Sequence, residues 1–114
     1  MSSAIIELAA RLGKAIADSP AATDLQATRK AIEEHPEVSR LYREFHDQSL
    51  KVAKLESEEK PVEVADKHKL LELREKLIAS DEFKKYTAAQ VEYADLMRRV
   101  SEAMQSKLEE AEKG

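Results

Sequence analysis

The sequence predicts an all-α fold: an N-terminal helix plus two antiparallel helical hairpins with a long C-terminal helix, dimeric, in a single domain over residues 1–114. Three observations lead there. Only two Gly and three Pro stand among 114 residues, too few for an all-β chain, which needs turn residues every ~8–12 positions. Charged residues make up 37% and hydrophobic residues 42%, with aromatics at 4%, the balance of a helical protein rich in Ala, Leu, Glu and Lys. Apolar residues recur at steps of three and four along most of the chain. The length is below the ~150 residues of a typical domain, so one folding unit is expected.

The elements follow in order. The first helix covers about residues 4–17 and sets Ile5, Leu8, Leu12 and Ile16 on one face. Ser19 and Pro20 read as the N-cap and first position of the second helix. That helix covers about residues 21–34, with Leu25, Thr28 and Ile32 inward. His35-Pro36-Glu37 is a short break and restart. Proline costs about 3 kcal/mol in a helix interior but fits the first turn, and Glu37 suits the positive helix start. The third helix, about 37–57, carries Val38, Leu41, Phe45, Gln48, Val52 and Leu55. Residues 56–63, around Pro61, are the most loop-like. The fourth helix, about 64–79, shows Leu70, Leu73 or Arg74, and Leu77. Ser80-Asp81-Glu82 repeats the start signal without a proline. The fifth helix, about 82–112, shows Phe83, Tyr86, Gln90, Tyr93, Met97, Val100 and Met104.

Helices three and five keep the alternating three–four spacing of a coiled-coil seam. The fifth runs roughly 30 residues, ~45 Å at 1.5 Å per residue. A compact monomer of this length has a radius of gyration of only ~13 Å. A partner chain is therefore expected along that seam, in a homodimer or higher homo-oligomer. An offset of 45 residues aligns Leu25 with Leu70, Arg29 with Arg74, Ile32 with Leu77, Glu37 with Glu82, Val38 with Phe83 and Leu41 with Tyr86. Helices two–three and four–five thus read as two copies of one hairpin.

Chemistry is sparse. Without cysteine the chain offers no disulfide, thiol nucleophile or thiolate metal ligand of its own. A net charge of −4 does not attract nucleic acid in bulk. No stretch approaches the ~18 apolar residues of a membrane span. Glu7, Arg11 and Lys14 interrupt any signal-peptide core, so the chain reads as mature at Met1 and cytoplasmic. The three histidines lack the i, i+4 spacing of a helical zinc motif: His35 fits a turn, His46 borders the core and His68 is solvated. No metal and no cofactor are expected. Carboxylates mix with lysines rather than pairing in a cleft, and no phosphate loop or nucleophile motif occurs. Gly13 reads as a small residue permitting close helix contact. Basic groups such as Lys84-Lys85 and Arg98-Arg99 are interrupted by acids, so direct nucleic-acid binding is not expected. Gln48 and Gln90 interrupt apolar seams, where a polar residue can fix register or simply lie at the edge.

The segments ELAARLGKAIADSPA, LQATRKAIEEHPEVSRLYREF and HKLLELREKLIASDEFKKYTAAQVEYADLMRRVSEAM resemble the YlbF/YheA/YmcA family of small helical bacterial proteins. The most telling pieces are Leu12-Gly13-x-Ala15-Ile16-x-x-Ser19-Pro20, Pro36-Glu37-Val38, and Ala89-Gln90 ahead of the terminal helix. The resemblance covers roughly residues 5–104. It implies an all-helical, self-associating protein without catalytic residues. Some relatives are cell-fate regulators, subunits of a complex that modulates the ribonuclease initiating mRNA decay. Cysteines of some members help hold iron–sulfur clusters, a feature that this chain cannot share. Its absence favours the YheA-like branch.

The expected function is therefore a non-enzymatic interaction module, a regulatory or adaptor subunit. Its contact residues are Tyr86, Gln90, Tyr93, Met97, Val100 and Met104, facing a second copy or a heterologous helical protein. Two alternatives stand beside it: a nucleic-acid-binding dimer, and a small-ligand carrier or enzyme with a pocket between hairpins.

Overall fold

The computed structural model describes residues 2–113 and contains, among them, five helices and no strand: α1 (Ser3–Ala17), α2 (Pro20–Glu34), α3 (Pro36–Ser57), α4 (Val64–Ile78) and α5 (Asp81–Lys113). Each boundary lies within one residue of the position read from capping residues and prolines. The chain groups into two compact units, residues 28–86 and the described parts of 1–27 with 87–114. No helix among the described residues is long and apolar enough to cross a membrane.

Three of the four connections are built on one plan. At each, a capping residue donates its N–H to the carbonyl three residues back: Ser19 to Ile16 (3.0 Å), His35 to Ile32 (3.2 Å) and Ser80 to Leu77 (3.0 Å). The capping side chain then accepts from the N–H three residues on. Ser19 Oγ accepts from Ala22 (3.3 Å), His35 Nδ1 from Val38 (3.3 Å) and Ser80 Oγ from Phe83 (3.2 Å). Each cap satisfies one of the orphan donors at a helix start. His35 and Ser80 are 45 residues apart, as are Ile32 and Leu77, so the internal repeat of the sequence coincides with two equivalent corners. The turn role read for His35 is thus a cap on α3.

Unit 28–86 is organised by an α3–α4 hairpin. The helices are antiparallel. Gln48, midway along α3, meets Asp66 in the first turn of α4, while Tyr42, nearer the start of α3, stands 6.2 Å from Phe83 just beyond α4. Ile32, Val38, Leu73, Leu77 and Tyr86 are buried here, Leu77 almost completely. Burying such side chains contributes about 1.5–3 kcal/mol each. Of the two residues offered for the α4 seam, Leu73 is buried and Arg74 exposed. The fourth connection differs from the other three. Lys60 N–H bonds Leu55 O at 2.9 Å and Glu59 N–H bonds Glu56 O at 3.1 Å, with Glu59 at φ 57°. This is a Schellman stop whose left-handed position, usually glycine, holds a glutamate.

In the other unit no residue of α1 is buried. Ile5 is 67% exposed, Leu8 61% and Leu12 39%; only Ile16 of that stripe is half-buried. Two details differ from the sequence reading. His46 is exposed rather than bordering the core, because the α3 stripe passes through Phe45 and Gln48 and leaves position 46 on the outer face. A Cβ at Gly13 would meet nothing within 4 Å, so no described neighbour needs its smallness. On α5 Tyr86 and Ala89 are buried while Gln90 is exposed, the edge position that the seam pattern also allowed. A three-residue step from Tyr86 buries a methyl group; a four-residue step would bury an amide that needs a partner.

Candidate protein-interaction surface

The expected contact residues divide between the two units. Tyr86 belongs to unit 28–86, where its buried ring lies 6.3 Å from Phe83. Tyr93, Met97 and Val100 are half-buried, whereas Gln90 and Met104 are exposed. Beyond Val100 every described residue of α5 is exposed, Met104 by 57% and Leu108 by 58%. Met104, Leu108, Ala103 and the stem of Lys107 line a shallow, mainly apolar depression on this segment.

The opposite face of distal α5 is held by ion pairs. The Arg98 guanidinium bridges Asp95 (2.6 Å) and Glu102 (2.8 Å) there, while Lys107, at the flank of the depression, meets Glu110 at 3.1 Å. These hydrogen bonds, Asp95's first and Glu102's second, push the Arg98 pKa further up. Exposed pairs at this spacing favour a helix only slightly. A helical segment as short as the exposed stretch 101–113 is marginal in water by itself, and most helical stability comes from packing an apolar face. Distal α5 and α1 therefore share one property: a formed helix whose apolar stripe is uncovered. The spacing of α1 showed its stripe, but no local pattern marks a stripe as uncovered.

One polar group sits in the hairpin seam instead. Gln48 is 5% exposed and its Nε2 donates to the Asp66 carbonyl (3.0 Å) and Oδ1 (3.3 Å). Lys51 Nζ reaches the same carboxylate at 3.0 Å. Hydrogen bonds from Lys51 and then Gln48 hold the Asp66 carboxyl below the usual carboxylate range, against some desolvation. A buried polar pair favours the register in which its members meet. Gln48 thus does in the hairpin what the seam pattern allowed, while Gln90 does not. His35 Nε2 lies 3.9 Å from Glu82 Oε1. Among the described residues no three His, Asp or Glu side chains converge as a metal site requires.

These features define a class: a small all-helical protein with one packed hairpin and a second unit that displays bare amphipathic faces. The family model described as "Control of competence regulator ComK, YlbF/YmcA" matches residues 5–109. The chain belongs to this YlbF/YmcA family, whose description is regulatory. No curated protein and no solved structure matches it.

Proposed function

We propose that this protein is a non-enzymatic regulatory or adaptor subunit that self-associates through α5 in the cytoplasm. Tyr93, Met97, Val100 and Met104, extended by Leu108, form the contact stripe, and α1 supplies further apolar surface. Tyr86 stays in the core of the hairpin unit, and Gln90 lies at the polar rim of the stripe. The observation that carries this reading is the exposure of Met104 and Leu108 on a fully helical segment. Contiguous apolar surface of this kind, rimmed by charged residues, marks association sites. The regulatory description of the family supports the reading. Modulation of mRNA decay, as the resemblance implies for some relatives, is the activity such an adaptor could serve. With no cysteine, this chain could serve it only without ligating a cluster, which favours the YheA-like branch.

The test is the double variant Met104→Glu, Leu108→Glu. Both side chains are exposed, so the helical circular dichroism of the isolated chain should persist. The solution mass should fall to that of the monomer. A variant that keeps the wild-type mass would sink the assignment.

A further inference from the structure

A cleft of about 380 Å³ opens within unit 28–86. Arg29, Ile32 and Glu33 of α2 line one side, Ser39, Tyr42 and Arg43 of α3 another, and Tyr86 of α5 a third. Three of the chain's five aromatic rings gather here, because Phe83 stands against both Tyr42 and Tyr86 at 6.2 and 6.3 Å. The two tyrosine rings are thus braced from behind. Tyr86 is 8% exposed, yet its hydroxyl makes no hydrogen bond with a described residue, and no described side-chain polar atom is both buried and unpartnered. The hydroxyl must therefore reach solvent, and the cleft is where the ring is open.

The charges are as informative. Arg29 and Arg43 form no ion pair or side-chain hydrogen bond among the described residues, although Glu33 stands one turn along from Arg29. Two guanidiniums against one carboxylate leave this cleft locally positive on a chain of net charge −4. Guanidinium forks match carboxylates with paired hydrogen bonds. Arg and Tyr are also the residues that dominate protein-interface energetics, since they offer large contact area with a polar tip.

We propose that this cleft is a docking site for an acidic, apolar peptide segment of a partner protein, separate from the α5 surface. A Glu or Asp carboxylate of the segment pairs with Arg29 and Arg43, with the Ser39, Tyr42 and Tyr86 hydroxyls as further donors. A neighbouring aliphatic side chain packs on Ile32 and the tyrosine rings. The volume suits this occupant: it lies near the lower end of the roughly 300–1,000 Å³ of small-molecule pockets and holds one or two side chains. Glu33 decides against a nucleic acid. It repels successive phosphates, whereas it can accept an N–H from the open first turn of a helical peptide.

The experiment is fluorescence anisotropy on the full chain with a labelled, end-capped, Ala-based helical peptide carrying Leu and Glu four residues apart. Its controls are the same peptide with glutamine for glutamate, sodium hexanoate as competitor, and a labelled single-stranded oligonucleotide. Saturable binding of the acidic peptide is expected. It should weaken about tenfold for the glutamine peptide and for the R29Q/R43Q double variant, the effect of losing a charge-assisted contact. Both arginines are exposed, so the melting curve of R29Q/R43Q should match wild type. The Y86F variant keeps the buried ring and should weaken binding by a smaller factor. Absence of peptide binding, equal binding of both peptides, or undiminished binding by R29Q/R43Q would overturn the proposal. So would hexanoate binding as tightly as the peptide, which makes the cleft a small-acid site, or binding of the oligonucleotide alone.

Discussion

In α4, Leu73 and Leu77 are four residues apart and both are buried; in α1, Leu8 and Leu12 have the same spacing and both are exposed. The local sequence is equally helical in the two places. What differs is the supply of a partner. A six-residue connection folds α4 back on α3, so its stripe meets a second stripe at high effective concentration. α1 has no such partner within its unit, and the far end of α5 is equally bare. Amphipathic spacing thus fixes that a helix forms and which face is apolar. Burial of that face depends on what the topology, or another chain, brings to it.

The largest effect that can break this comparison is a pair of truncations. Leu77→Ala removes the most completely buried side chain and should destabilise the fold by about 2–5 kcal/mol in urea denaturation. Leu8→Ala, measured at the lowest usable concentration, should stay within about 0.5 kcal/mol of wild type. Equal losses at the two sites would mean that α1 is covered within the monomer.

A smaller effect concerns how the hairpin is held. The Asp66 carboxyl titrates below its unfolded value because Lys51 and Gln48 bond its charged form. Its stabilising contribution is therefore complete above the unfolded carboxylate pKa of ~4 and is lost as pH falls through the lower folded value. Asp66→Asn should lower stability at neutral pH and reduce its further decline on acidification, as read from melting temperatures between neutral pH and pH ~3. A variant with the acid dependence of wild type would show that other carboxylates set it.

The smallest expected effect has the opposite sign. Glu59 occupies the left-handed position of the α3 stop at φ 57°. Glycine adopts that conformation without a Cβ penalty, so Glu59→Gly should stabilise the hairpin by about 0.5–1 kcal/mol. A lower melting temperature would show that the glutamate side chain contributes more than its backbone strain costs.

Much of this was legible in the sequence. Ser19-Pro20, His35-Pro36 and Ser80-Asp81 place three helix starts because each capping side chain acts within three residues. The stripe of α3 was equally readable, Gln48 included, since a seam is a local period. For Gln90 a seam and an edge position were both open, because three- and four-residue steps from Tyr86 are equally helical, and only packing chooses between Ala89 and Gln90. The cleft was invisible for a different reason. Arg29, Arg43 and Tyr86 lie on three helices and share no local motif, so only the corner between α2 and α3 and the return of α5 bring them together.

The central claim is that the uncovered stripe of α5 is an interface between copies of this chain. Light scattering across a dilution series down to the low micromolar range tests it most directly. The account predicts a mass that is a multiple of 12.9 kDa, falling only at the lowest concentrations. A mass of 12.9 kDa at every concentration would contradict it.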